Sequence, residues 1–408
     1  MTARRIRILH LVQNLNYGGM ERLIHDLARL ADRGRQEVHV MVMGYTGRFG
    51  QGLEGMAEIH LAGPMEPWSL LRPGRLAARI AGLAPDVVHT HSGVWRTGAR
   101  AARMAGVPRV VHTEHGRRHP DPPDDRWIDG WAARSTDIVA AVSRPLAAHL
   151  RARVIRGSTA IEVVPNGVDT DAFRPREDDG ALRAALGIAP GVPVIGSVGR
   201  LERIKGYEVA VRALALLGER RTDALPPVLV VAGDGRERER VSTLAAALGV
   251  GDRVRLPGWR DDLPALHASF DLFTMSSHSE GTSVSLLEAM SAGLCPVVTD
   301  VGGNADVLGT ELRHRLVPPG DPEALAAAWA RALADGDARR ADGATARARV
   351  VAHFSAGSMV RRYAQLYAGS SGVGAPAETT APLPPAPFPL VPRGEGETAR
   401  DPSTEDRR

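Results

Sequence analysis

Apolar positions along this chain follow two rhythms that take turns. Short runs rich in β-branched residues, Ile6–Val12 (IRILHLV), Glu37–Met43, Asp86–His89, Arg109–His112 and Ile138–Val142, are separated by Met20–Arg33, Leu70–Leu83 and Val94–Ala105, where apolar residues recur every three to four positions. The first kind reads as buried strand and the second as amphipathic helix. A second series follows, with strands at Val192–Val198, Val228–Ala232, Val254–Leu256, Asp271–Met275 and Cys295–Thr299, and helices at Glu208–Leu217, Glu237–Leu248 and Ser283–Ala292. Regular alternation of strand and helix predicts parallel strands joined by crossover helices. The predicted fold class is therefore α/β, with two tandem doubly wound units and a ligand cleft at the carboxyl ends of their strands.

Between the two series, Val168–Gly191 carries Asp, Pro and Gly without an apolar period and reads as the link. Pro322–Ala334, Ala338–His353 and Ser355–Tyr367 are helical in pattern, and Ser371–Arg408 takes eight of the 29 prolines with almost no aliphatic period, as a disordered tail does.

Composition narrows the setting. One cysteine, Cys295, among 408 residues excludes internal disulfides and Cys-rich metal sites and points to a reducing cytoplasm. No apolar run reaches the roughly 18 residues of a membrane span. The net charge of +4 is too thinly spread to indicate nucleic acid, but its distribution is uneven. Met1–Pro175 carries 24 Arg against 17 acidic residues, the remainder 27 basic against 30 acidic. A basic first half suits either an ordinary solvated surface or an anionic lipid surface. Of 51 basic residues only Lys205 is lysine, in a chain that otherwise uses Arg for positive charge.

The most informative stretch is Ser279–Ala305, in which Glu280 and Glu288 stand eight apart around a helix start that Thr282 and Ser283 can cap. The amide groups of that first turn suit an anionic diphosphate, and carboxylates beside it suit the paired hydroxyls of sugar and ribose. With NYGGMER (Asn16–Arg22), DVVHTHS (Asp86–Ser92), TEHG (Thr113–Gly116), AVSR (Ala141–Arg144), VPNGVDTDAF (Val164–Phe173), GRLERIKGY (Gly199–Tyr207), AGDG (Ala232–Gly235), LPGW (Leu256–Trp259) and SEGTSVSLLEAMSAG (Ser279–Gly293), the chain resembles the retaining glycosyltransferases of family 4, from Arg5 to about Tyr367. It is most similar to bacterial transferases that build exopolysaccharide or lipid-linked saccharide.

The resemblance implies a GT-B architecture of two Rossmann-like domains. Together with the pattern it divides the chain into an acceptor domain (1–172), a linker (173–190), a nucleotide-sugar domain (191–353), a C-terminal helix packing back on the first domain (354–369) and the Pro-rich tail (370–408). It further implies that Glu288 binds the nucleotide ribose and Glu280 the donor-sugar hydroxyls, while Arg200 and Lys205 clamp the diphosphate and stabilise it as it leaves. Fixed cations at a departing phosphate lower the barrier, and a compact ammonium can follow the oxygen where a planar guanidinium cannot. Gly18 and Gly19 would let the first loop approach the diphosphate, although a tight strand-to-helix turn needs glycine anyway. The resemblance places His115 on the donor sugar as a catalytic-site residue, His91 at the acceptor, and Trp259 and Arg260 near the base. Asn166 either touches the donor or fixes a turn.

Several tempting motifs are set aside. His89 and His91 share a strand face, as metal ligands can, but no carboxylate or thiol stands at ligand spacing and the family needs no catalytic metal. His89 and His112 read as packed structural residues. Asp169-Thr170-Asp171 reads as a turn, and Gly233-Asp234-Gly235 is an incomplete dinucleotide fingerprint. The expected function is metal-independent, cofactor-free retaining transfer from a nucleoside-diphosphate sugar to a saccharide or lipid-linked saccharide, in the cytoplasm or peripherally at the inner membrane face, with no nucleic-acid partner. The alternative is a noncatalytic nucleotide-sugar sensor or partner of the same fold; an oxidoreductase would need the glycine fingerprint that is missing.

Overall fold

The computed structural model describes residues 4–15, 18–63, 72–117, 121–220 and 225–369. The tail over 370–408 and the residues Asn16, Tyr17, Leu70 and Leu71 of the motifs and helices above lie outside the described residues. The first sheet contains β1 (Ile6–Val12), β2 (Gln36–Val42), β3 (Glu58–Leu61), β4 (Val87–His91), β5 (Arg109–Glu114), β6 (Ile138–Ala141) and β7 (Ala160–Val163), in the spatial order β3-β2-β1-β4-β5-β6-β7. The second contains β8 (Val194–Val198), β9 (Val228–Ala232), β10 (Val254–Gly258), β11 (Leu272–Met275), β12 (Pro296–Thr299) and β13 (Leu316–Val317), in the order β10-β9-β8-β11-β12-β13. The recorded strand pairs are parallel, and in each sheet the order reverses beside the first strand, which opens a crevice at the carboxyl ends.

Continuous apolar strands bury both faces. Along β1, Leu9 and Leu11 join a core with Ile80 and Trp95 on one face, while Ile8 joins Ile24 and Tyr363 on the other. In the second sheet Ile195, Leu229 and Val231 meet Leu214 and Trp329, and Val194, Val228 and Val230 meet Phe270 on the opposite face.

The predicted strands and helices are present with ends shifted by a few residues. Three strands were not predicted, namely β3 (EIHL), β7 (AIEV) and the two-residue β13. Each is an outermost strand, so each is buried less completely and carries too weak an apolar signal. The helix Pro123–Ala132 was also not predicted, since its first turn is acidic and its largest apolar residues, Trp127 and Trp131, lie on the exposed face. The linker holds a short helix, Ala181–Ala185. Beyond the second sheet, the helix Ala356–Ala368 crosses back and packs Met359, Tyr363, Leu366 and Tyr367 into the first domain's core. There Tyr367 Oη lies 2.8 Å from His89 Nδ1, and Tyr363 Oη lies 3.0 Å from Thr113 Oγ1.

Candidate active site

The turn between β11 and the helix Val284–Ser291 carries Glu280, and two neighbours hold its carboxylate. Lys205 Nζ donates to Oε1 at 2.7 Å, and Ser277 Oγ donates to the same oxygen at 2.6 Å. Lys205 follows β8 in a one-turn 3₁₀ segment, Arg203–Lys205. That segment is fastened to the β11 loop, where Ser276 Oγ donates to the Lys205 carbonyl at 3.1 Å and His278 N donates to the Ile204 carbonyl at 2.8 Å. Gly302, after β12, supports Glu280 from below. Its φ is +54° and a Cβ there would lie 1.8 Å from the Glu280 carbonyl oxygen, so only glycine lets the two loops touch.

Glu288 lies one and a half turns into its helix, whose first turn is capped by Ser283 Oγ accepting from Leu286 N. It is buried, and burial pushes its carboxyl up to about 7 against the opposing pull of Arg22, whose guanidinium lies 3.7 Å away. Arg22 and Glu288 line a cavity of about 210 Å³ between the domains, with Asp26, Arg29, Asp169 and Phe173. Arg200 stands at the end of β8, exposed and paired with Glu202 at 2.7 Å.

The first domain meets this turn directly. A Cβ on Gly281 would lie 2.5 Å from the His115 carbonyl oxygen, and one on Gly19 would lie 3.2 Å from Val284. Thr282 donates its hydroxyl to the Val142 carbonyl. Asn166 Nδ2 donates to the Thr282 carbonyl at 2.7 Å, while its Oδ1 is buried without a hydrogen-bond partner. Asn166 thus ties the end of the first domain to the Thr282 loop through its Nδ2.

His115 ends β5. Its Nε2 lies 3.2 Å from His91 Nδ1, its Nδ1 is buried and unpartnered, and burial lowers its imidazole to about 4. It is therefore a neutral ring with one free polar atom. His91, expected at the acceptor, is instead fully enclosed, with its Nε2 3.1 Å from His10 Nδ1 and its Nδ1 on His115. This makes it a support for His115 in this conformation. His10, His89 and His91 form a buried cluster whose ring nitrogens come within 4.8 Å of one another. The sequence reading missed His10, which the β1–β4 register sets beside His89.

Trp259 and Arg260 lie in the loop after β10, each tied to an acid of its own turn: Trp259 Nε1 to Asp261 at 2.8 Å and Arg260 Nε to Asp262 at 2.7 Å. Asp169 accepts from the backbone of Asp171 and Ala172 and pairs with Arg29 at 2.8 Å, a turn and an ion pair. Ser277 and Arg22 went unnoticed, although Arg22 sits one turn past the glycine loop. Arg117, just beyond TEHG, was also missed. Its guanidinium reaches Asp121 at 2.8 Å, Asp129 at 2.8 Å and Glu114 at 3.2 Å, and so anchors the loop that carries His115.

Two family models match the chain: Glycosyltransferase Family 4 over residues 17–172 and Glycosyl transferases group 1 over residues 178–349. The chain is 30% identical over 359 residues to the D-inositol 3-phosphate glycosyltransferase of Salinispora tropica, covering 78% of this chain and 73% of that protein. It is 30% identical over 260 residues to the UDP-Gal:alpha-D-GlcNAc-diphosphoundecaprenol alpha-1,3-galactosyltransferase of Escherichia coli, covering 61% of this chain and 67% of the relative. Among solved structures, Anabaena Alr3699/HepE in complex with UDP and glucose superposes with a TM-score of 0.79 at 23% identity, over 90% of this chain and all of that one. The lipopolysaccharide glycosyltransferase WaaG superposes with a TM-score of 0.69 at 19% identity, over 89% of this chain and all of that one. The two sheets, the shared seam and these matches lead to one assignment: the chain belongs to glycosyltransferase family 4 and is a glycosyltransferase of the GT-B fold.

Proposed function

We propose that the protein transfers a hexosyl or related sugar from a nucleoside diphosphate to an acceptor hydroxyl with retention of the anomeric configuration. The observation that carries this reading is the Lys205–Glu280 pair at 2.7 Å, set on the seam where the second domain's loop meets His115. Lys205 holds the departing diphosphate, Arg200 adds a second positive charge, and Glu280 accepts from the donor sugar's hydroxyls. Glu288 grips the ribose, and His115 Nδ1 contacts the sugar from the acceptor side. Among the described residues no side chain is placed as a nucleophile, and in this reading substitution takes place on one face of the sugar. The bond from the anomeric carbon to the phosphate oxygen breaks as the acceptor oxygen bonds to the same face, and the acceptor proton passes to the leaving phosphate. The two cations supply the charge for this step, and the transfer runs without a metal ion.

The donor is a nucleoside-diphosphate sugar, a choice supported by the UDP and glucose in the Anabaena structure. Purified protein incubated with UDP-, GDP- and ADP-sugars should release nucleotide with one of them, and Glu280→Gln should abolish release. A product with inverted anomeric configuration by NMR would overturn the retaining mechanism.

The acceptor is a lipid-linked saccharide met at an anionic membrane in polysaccharide or glycolipid assembly. The relative acting on a diphosphoundecaprenol-linked sugar supports this, as does the first domain's surface. No helix among the described residues is long and apolar enough to cross a membrane. The helix Pro123–Ala132, however, exposes Trp127 and Trp131 with ring centroids 6.3 Å apart, and Arg100 lies 5.7 Å from the Trp131 ring. Amphipathic rings beside arginines suit a headgroup layer. In flotation with anionic liposomes the protein should rise at low salt and less at high salt, and Trp127→Ala should weaken binding; equal non-binding at both salts would reject the membrane contact.

A further inference from the structure

Away from the cleft, at the outer edge of the first sheet, β2 and β3 bring together four side chains that the transfer does not use. The parallel register sets His39 against Glu58 and Met41 against His60, so His39, Glu58 and His60 stand on one face. His39 Nδ1 lies 2.9 Å from His60 Nε2 and 3.6 Å from Glu58 Oε2, and His60 Nε2 lies 3.7 Å from Glu58 Oε1. Donors about 2.0–2.1 Å from a tetrahedral Zn²⁺ are about 3.3 Å from one another, and the three separations bracket that spacing.

A second observation concerns what lies behind the donors. Glu37 Oε1 lies 3.1 Å from His39 Nε2, and its other oxygen accepts from Arg7 at 3.3 Å. The carboxylate is therefore held in place and fixes the His39 tautomer with its proton on Nε2, leaving the Nδ1 lone pair directed at His60 and Glu58. Metal-ligating histidines are oriented by carboxylates in this way. His39 is nearly buried, His60 partly exposed, and the Glu58 side chain 66% exposed, so an ion has both a fixed wall and an entry path.

We propose that His39, His60 and Glu58 form a binding site for a zinc-class divalent cation, with water as fourth ligand and Glu37 as the group that orients His39. Two imidazoles and a carboxylate form a borderline nitrogen–oxygen donor set that suits Zn²⁺ better than Mg²⁺ or Ca²⁺. Without the ion, His60 Nε2–H donates to His39 Nδ1; the ion takes the place of that proton, and His60 shifts to its Nδ1–H tautomer. The bound ion ties β3, a four-residue outermost strand, to β2 and the rest of the sheet.

The test uses the full untagged chain, stripped with chelator and titrated with Zn²⁺ and with Co²⁺. One ion per chain is expected, with the visible absorption of four-coordinate Co²⁺ and a rise in Tm on Zn²⁺ addition. His60→Ala and Glu58→Ala should each remove the Co²⁺ absorption, and Glu37→Gln should weaken binding about 10- to 100-fold. Glu58 is exposed enough that its variant remains folded by circular dichroism even if His60→Ala does not. Absence of stoichiometric binding would overturn the proposal. So would binding that persists undiminished in Glu58→Ala, which would place the ion elsewhere, as at His10, His89 and His91.

Discussion

At the scale of single residues, the choice of lysine at 205 against a background of arginine is the most exacting feature. Its ammonium holds Glu280, and in the proposed reaction it turns to the leaving phosphate, an exchange that three freely rotating N–H donors allow. Lys205→Ala should lower kcat about 10²- to 10³-fold, the loss typical of one electrostatic donor. Lys205→Arg, which keeps the charge but fixes the donor geometry, should recover only part; full recovery would show that charge alone suffices. Glu288 makes a second prediction. Burial holds its carboxyl near 7, and with Glu288 on the ribose as proposed the ionised form is the better acceptor for its hydroxyls, so donor affinity should rise as pH rises through about 7. Glu288→Gln should flatten that dependence in a titration of donor binding against pH. Glu280 and Glu288 stand out in the sequence by their spacing about one helix start and Lys205 as the single lysine, and the structure brings Lys205 onto Glu280. Arg22 was not legible there, since it meets Glu288 across segments distant in the chain, and Ser277 was not, since nothing in the local pattern marks a serine three residues before Glu280 as its hydrogen-bond donor.

At the scale of elements, strands rich in buried apolar residues were legible, and of the outermost strands β10 was read from Val254–Leu256 while β3, β7 and β13 were not. One polar feature stayed hidden for a related reason. Histidines on adjacent strands, His10 on β1 and His89 and His91 on β4, become a cluster only once the register is known, whereas His112 on β5 stands on the opposite face of the sheet, beside Thr90. Burial lowers His10 to about 3 and His115 to about 4, and it holds His89, His91 and His112 well below the ordinary imidazole range. The unfolded chain takes up these protons near pH 6.5 and the folded chain does not, so folding stability rises with pH between about 4 and about 6.5 and is lost on acidification through that window. Glu114 and Glu288, both pushed up to about 7, act with the opposite sign between about 4.5 and about 7, but they are outnumbered. The unfolding free energy from denaturant titration should therefore be lower at pH 5.5 than at pH 7.5, each histidine contributing up to about 1.4 kcal/mol per pH unit. Replacing His112, which stacks on Trp95 at 4.0 Å, with Gln should reduce the dependence.

At the scale of the whole molecule, the two domains are joined by two chain crossings that run side by side. Val168 pairs with Ser355, its N–H donates to the Phe354 carbonyl at 2.9 Å, and its carbonyl accepts from Ala356 N at 2.8 Å. Any rocking of one domain against the other passes through this double strap. Gly167 sits inside it, where a Cβ would lie 2.7 Å from Ala356 Cα and 2.9 Å from the Ser355 carbonyl, both backbone atoms that cannot swing aside. Gly167→Ala should force the crossings apart and hold the seam between His115 and Gly281 slightly open. A cleft that closes incompletely admits water to the activated sugar. Two quantities should change together: transfer to the acceptor should fall, and the share of donor lost to hydrolysis, read as free sugar per nucleotide released, should rise. A variant that loses transfer and hydrolysis in equal proportion would instead place the strap's contribution in stability, which Tm measured on the same sample would reveal.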